Sequence, residues 1–259
     1  MKVSLVQLAT VIGELKANLA AAERAIRDAA AEDPDTLVLP EAWNLGFLPD
    51  DLSEAEAAGA GPARHLLRRL AAELGVHIVG GSILCRDGGD VRNRCFVFDR
   101  SGDEIAACDK QHPFAPMEED RRVRAGEGAE PFELDGVRCG VLICYDLRFP
   151  EVARRLAFAG AKVLFVPAQW PDVRLAAWRT LLRARAIENS AFVIGCNGCG
   201  GSTEGRFGGH SMVIDPAGGV ICELPEEPCA VTAGVDLGRI RAARSKVPAF
   251  DEARRRYGP

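Results

Sequence analysis

The stretch GVLICYDLRFPE, residues 140 to 151, decides the reading of this chain. Gly140 to Ile143 are small or apolar, Cys144 follows, and Pro150 stands ready to start a helix. The pattern predicts a strand that ends at a cysteine and turns sharply into a helix. Such a turn suits a nucleophile, because the strand fixes the backbone while nearby N–H groups face a developing oxyanion. A helix N-terminus also lowers a thiol pKa, which would activate Cys144. The plain alternative is one more buried cysteine in an apolar strand, a common fate of a free cysteine.

Outward from this stretch, the 259 residues suffice for one large α/β domain or two small ones, and 47% are hydrophobic, so a substantial core is available. The net charge of −5 and the scattered lysines and arginines predict neither nucleic-acid binding nor adhesion to an anionic membrane. The arginines at 254 to 256 read as a solvated tail. Nine cysteines, an odd number in a chain too large to need staples, fit a reducing compartment. MKVSLVQLA lacks the apolar core of a signal peptide, and no apolar run reaches membrane-spanning length. A cytoplasmic protein is expected.

Val3 to Leu8 predicts the first strand, and Leu15, Leu19, Ala22, Ile26 and Ala29 mark an amphipathic helix. TLVLP at 36 to 40 is a buried strand stopping at Glu41. Asn44 to Gly61 reads as a surface loop, Leu66, Leu70 and Leu74 as a helix, and His77 to Leu84 as a strand. Turns at 86 to 90 and 101 to 103 flank CFVFD, after which EIAACDK leads to Lys110 and a loop running to about Pro131. Val137 to Ile143, Lys162 to Pro167 and Ala191 to Asn197 are strands. A helix from Pro150, capped by Gly160, and a helix over Leu175 to Asn189 alternate with them. The remainder reads mostly as strand: Ser211 to Asp215, Val220 to Leu224 and Val231 to Val235. One domain over 1–259, a layered α/β fold, is the economical reading.

Glu41, Lys110 and Cys144 each lie just past a predicted strand, where ligand sites collect in α/β folds. Brought together, they would supply a base, an oxyanion stabiliser and a nucleophile. Taken singly, an acid after a strand or a lysine is ordinary surface charge.

Five segments in order resemble the nitrilase superfamily of carbon–nitrogen hydrolases: LVLPEAW around Glu41, DKQHPF around Lys110, LICYDLRFPE around Cys144, LLRARAIENSAFVIGCN at 181 to 197 and GHSMVIDPAGGV at 209 to 220. The resemblance implies a four-layer α-β-β-α sandwich, a homodimer, and a Glu-Lys-Cys triad working without metal or organic cofactor. It assigns Glu41 as general base, Cys144 as nucleophile and Lys110 as support for the tetrahedral intermediate. It also implies a second glutamate, Glu119 in preference to Glu118, and an oxyanion donor in the N–H of Tyr145.

CYDLRFPE and PAQWP resemble the ω-amidase-like and deaminated-glutathione-amidase group, which implies a small carboxylate-bearing amide as substrate, with acyl transfer as a relative of hydrolysis. Arg148 is then expected to clamp a carboxylate or, alternatively, to form a salt bridge with Glu151 or another acid. Trp170 is expected to wall the pocket or pack in the core. Pro113, Ser190 and Asn197-Gly198 depart from the usual pattern. Three rival readings remain: a Cys-His hydrolase using His112 or His210; a metal or redox role for Cys196-Asn197-Gly198-Cys199, a weak signal alone; and a non-enzymatic scaffold, which would need none of Glu41, Lys110 and Cys144.

Overall fold

The computed structural model describes residues 1–53, 55–57, 61–202 and 205–258. Two β-sheets face each other with helices outside, so the chain is a four-layer α-β-β-α sandwich. The larger sheet runs in the order Cys229–Gly234, Lys2–Gln7, Thr36–Val38, His77–Val79, Asp90–Phe98, Ile83–Asp87 and Glu56–Ala57, and Glu104–Asp109 also pairs with Asp90–Phe98. The smaller runs Val220–Glu223, Met212–Ile214, Phe192–Asn197, Val163–Ala168, Val137–Val141 and Phe132–Leu134. The central neighbours are parallel, Lys2–Gln7 with Thr36–Val38 and Val137–Val141 with Val163–Ala168; antiparallel strands close both edges of the smaller sheet and one edge of the larger, whose other edge strand, Glu56–Ala57, pairs parallel with Ile83–Asp87.

Alternation along the strands produces the layers. Val3, Leu5, Val38, Val79, Cys95 and Val97 join the core shared with the smaller sheet. Their neighbours Leu37, Leu39, Ile78, Phe96 and Phe98 pack with helices Leu15–Ala30 and Pro62–Leu74. Val163–Ala168, sandwiched on both faces, is buried throughout, which is why it reads as an unbroken apolar run. Pro150–Phe158, with proline in its first turn, and Leu175–Asn189 cover that sheet through Leu156, Trp178 and Leu182.

Three expectations need correction. His77 to Leu84 is two strands, broken at Gly80-Gly81. Gly81 has φ +66°, and a Cβ there would lie 1.9 Å from Pro40 O, so only glycine admits the chain end that carries Glu41. The loop after Glu41 is not on the surface: Asn44 to Pro49 are all buried. Asn44 supplies the hydrogen bonds that make this possible, donating to Leu84 O at 3.0 Å and accepting from Leu84 N–H at 3.0 Å. Positions 54 and 58–60 of the expected loop lie outside the described residues. Finally, the C-terminal segment adds helices Gly238–Lys246 and Ala249–Tyr257, the latter anchored by buried Phe250 against Phe158. Each of these arginine-rich helices buries one residue, Ile240 and Phe250, which leaves few apolar positions to announce them.

Candidate active site

The ends of three strands deliver the three reactive side chains. Glu41 follows Thr36–Val38, its position held by Ala42 N–H donating to Ser82 Oγ at 3.0 Å and Trp43 Nε1 donating to Gly80 O at 2.7 Å. Lys110 follows Glu104–Asp109, and its backbone N–H donates to Asn93 O at 2.8 Å. Cys144 opens the 3-10 turn Cys144–Arg148 with φ +48°, a strained left-handed conformation for a residue with a Cβ. Asp146 ties this turn to the lysine loop. Its carboxylate accepts from the N–H groups of Ile143 at 3.1 Å, Gln111 at 3.3 Å and His112 at 2.8 Å.

Glu41, Lys110 and Glu119 are fully buried. Lys110 Nζ donates to Glu41 Oε1 at 2.8 Å and to Glu119 Oε2 at 2.6 Å. Glu119 Oε2 also accepts from Phe114 N–H at 2.6 Å, and Glu41 Oε2 from Gln169 N–H at 2.9 Å. The choice between adjacent glutamates is thereby geometric. The Glu118 side chain is 64% exposed and pairs with Arg121. Burial alone would lower the Lys110 pKa, but the Glu119 and Glu41 carboxylates outweigh it and hold the ammonium protonated. Burial pushes the Glu119 carboxyl up, opposed by Lys110 and reinforced by Glu41.

Cys144 does not behave as its helix position predicts. Burial and then the neighbouring Glu41 carboxylate push its thiol well above the ordinary range, against the pull of Lys110 and the Gln169 N–H. A single turn's N-terminus is the weaker influence here, so the resting group is a thiol hydrogen-bonded to Glu41. The arrangement can move a proton from sulfur to Glu41 as the sulfur attacks.

Above Cys144 opens a mainly aromatic pocket, walled by Phe47, Phe114, Tyr145, Trp170 and Phe207. Trp170 serves both expected roles: it lines the pocket and packs against Trp178 at 5.5 Å between ring centroids. Arg148 is exposed at the pocket, its guanidinium carbon 4.9 Å from the centre of the Trp170 ring, with no ion pair to Glu151 or another acid among the described residues. A second guanidinium, Arg174, faces the same pocket over Phe114 at 5.3 Å. Gly198, one of the departures, makes room for Gln169: a Cβ there would lie 2.2 Å from Gln169 Oε1. The Gln169 amide instead donates to Glu41 O at 2.9 Å.

The rival residues are engaged elsewhere. His112 stacks on Phe149 and bonds Asp146, while His210 pairs with Glu223. Cys196 donates to Val6 O and Val38 O in the core. Asn93, Asp146, Gln169 and Arg174 were not anticipated. Asn93 alone had a readable signal, as a polar residue sharing parity with Val91, Cys95 and Val97 in an alternating strand.

The carbon–nitrogen hydrolase family model matches residues 2–245. The chain belongs to the carbon–nitrogen hydrolase family. This hydrolase is 40% identical to the 2-oxoglutaramate amidase of Bacillus subtilis (strain 168), over 98% of its own length and 97% of the relative's. It is 30% identical to the omega-amidase NIT2 of Danio rerio, over 94% and 91%. A CN-hydrolase superfamily protein of Xanthomonas campestris, with an arsenic adduct in its active site, superposes with a TM-score of 0.90 at 32% identity, over 97% and 96%. As a member of this family the hydrolase is an enzyme of non-peptide C–N bonds.

Proposed function

We propose that the enzyme is an ω-amidase, hydrolysing a small amide that carries a carboxylate at its far end to the acid and ammonia. The observation that carries the reading is the buried Glu41–Lys110–Glu119 set beside Cys144, at the foot of a pocket that also holds two guanidiniums without acidic partners among the described residues. The names of the 2-oxoglutaramate amidase and omega-amidase relatives support the same substrate class.

In this reading Glu41 accepts the Cys144 proton as sulfur attacks the amide carbonyl carbon. The oxyanion of the tetrahedral intermediate is stabilised by Lys110 Nζ and the N–H of Tyr145, a first-turn donor of the Cys144–Arg148 helix. Glu41 returns the proton to the departing nitrogen, the C–N bond breaks, and ammonia leaves a thioester. Glu41 then deprotonates a water that attacks the thioester, and the sulfur leaves with the proton restored. Glu119 holds Lys110 charged and oriented. Arg148, stacked on Trp170, receives the substrate carboxylate, with Arg174 adding to the positive field.

One catalytic domain over 1–259, working as a homodimer that pairs helix layers, belongs to the same proposal; light scattering at micromolar concentration tests it, and a monomer counts against it. Nine free cysteines support residence in the reducing cytoplasm. The functional test is ammonia release across ω-amides of dicarboxylic acids, neutral amides of equal length and nitriles, with Cys144→Ala as the blank. Release from acidic amides is expected. Release from neutral amides alone would withdraw the carboxylate preference and leave the general amidase.

A further inference from the structure

We infer that Asn93 is a positioning residue that holds Glu41 and Glu119 as a paired set of carboxylates around Lys110, so that Glu41 remains able to take the Cys144 proton. The inference rests on the reading of Glu41 as base.

Asn93 lies in the middle of strand Asp90–Phe98 and is fully buried. Its backbone carbonyl accepts from the Lys110 N–H at 2.8 Å, which fixes the start of the lysine side chain. Its side-chain Nδ2 donates to Glu41 Oε1 at 2.9 Å and to Glu119 Oε1 at 3.1 Å. A carboxamide nitrogen has two hydrogens, and each glutamate takes one. The opposite orientation would set Oδ1 against two carboxylate oxygens, so the hydrogen-bond network selects this one. Oδ1 is buried and has no hydrogen-bond partner among the described residues, which follows if the residue is kept for its donors.

The charges explain why a neutral donor belongs there. Two ionised glutamates and one ammonium leave one negative charge in excess in a dry site. Lys110 is the only cation among the described residues bonded to both glutamates, and in the proposed reaction it must also serve the oxyanion. Asn93 carries no charge and is built into a strand, so its two N–H groups stay on the carboxylates while Lys110 turns to the intermediate. The bonds also divide the labour within Glu41. Oε1 accepts from both Lys110 and Asn93, whereas Oε2 accepts from Gln169 N–H, the same group that faces the Cys144 sulfur. The shared Gln169 donor points to Oε2 as the oxygen that receives the thiol proton.

The test uses Asn93→Ala, Asn93→Ser and Asn93→Asp in the full-length enzyme, with thermal melts alongside. Two pH profiles are read: kcat/KM on succinamate, and the rate of Cys144 alkylation by iodoacetamide. Removing both donors makes the ionised carboxylates harder to keep. Asn93→Ala should therefore move the acid limb of both profiles up by about one pH unit and lower kcat at least tenfold, with KM within about twofold. Asn93→Ser, which retains one donor, should fall between wild type and Ala, and Asn93→Asp, with no donor when ionised, should be worse than Ala. A loss of rate that tracks the melt while both limbs stay in place overturns the proposal, as does failure of all three variants to fold. Glu41→Gln separates the two levels of the argument: if it retains turnover with the wild-type profile, it is the assignment of Glu41 as base that has failed.

Discussion

Cys144 combines a buried thiol, a carboxylate neighbour and a left-handed backbone, and each has a measurable consequence. Cys144→Ala should abolish turnover while leaving the melt within a few degrees, because its sulfur borders the pocket and supports little packing. Cys144→Gly should be equally inactive yet more stable than Cys144→Ala by about 1 kcal/mol, because glycine has no Cβ to strain at φ +48°. Equal melts for the two variants would show that the strain is relieved elsewhere. Lys110→Ala should cost about two to three orders of magnitude in kcat, the usual loss of an oxyanion donor, and should also destabilise the fold by leaving Glu41 and Glu119 buried without their cation. On specificity, Arg148→Met should depress kcat/KM for acidic amides at least tenfold, consistent with the roughly 2–5 kcal/mol of a desolvated charge pair. A neutral amide of similar length should be nearly unaffected. Equal losses on both substrates would make Arg148 a brace for Trp170.

At the scale of elements, the site depends on how loops are joined to one another. The turn Cys144–Arg148 and the loop after Lys110 belong to different sheets, and the Asp146 carboxylate accepts N–H bonds from both. Asp146→Ala leaves the buried Ile143 N–H and the part-buried Gln111 and His112 N–H groups without this acceptor. It should cost about 3 kcal/mol by the usual penalty for unmet hydrogen bonds to a charged group, roughly 6–12 °C in Tm for a chain of this size. Turnover should fall further than stability, since Lys110 and Cys144 lose their common reference. A variant with normal kcat and a lowered melt would confine Asp146 to the scaffold. In sequence, Asp146 is simply one polar residue in CYDLRFPE, and its partners Gln111 and His112 are more than thirty positions away.

Over the whole molecule, one edge of the sandwich is clasped by charge. Asp135, in the turn between Phe132–Leu134 and Val137–Val141, reaches across to Arg100 at 2.8 Å and His77 at 2.9 Å, which belong to the opposite sheet's side. Arg100 and then His77 hold its carboxyl down to about 2. A depressed carboxylate contributes stability above its unfolded pKa of about 3.9 and loses it as pH falls through the folded value. Asp135→Asn should therefore lower Tm by a constant small amount from neutral pH to about 5, within the roughly 0–1 kcal/mol of a half-exposed pair. The difference should shrink below about pH 4 and be gone near 2. A difference that grew on acidification would contradict the assignment.

Much of this architecture was legible in the linear chain, because apolar periodicity reports which face of a strand or helix is buried. The strands ending at Glu41, Lys110 and Cys144 and the helix begun by Pro150 follow from such local patterns, whereas the four-layer order was implied by the family resemblance. The arginine-rich C-terminal helices do not, since one buried residue in each, Ile240 and Phe250, is too little for a period. What tertiary structure alone decided is the chemistry. Glu41 meets Lys110 across 69 positions and the Gln169 N–H across 128. Those encounters, with complete burial, make Cys144 a thiol awaiting a base, choose Glu119 over Glu118, and turn Asn93 from an odd polar residue in a strand into a donor for two carboxylates. Residue type and spacing report what a segment can bury; proton affinity and hydrogen-bond partnership depend on which distant groups share the same dry space.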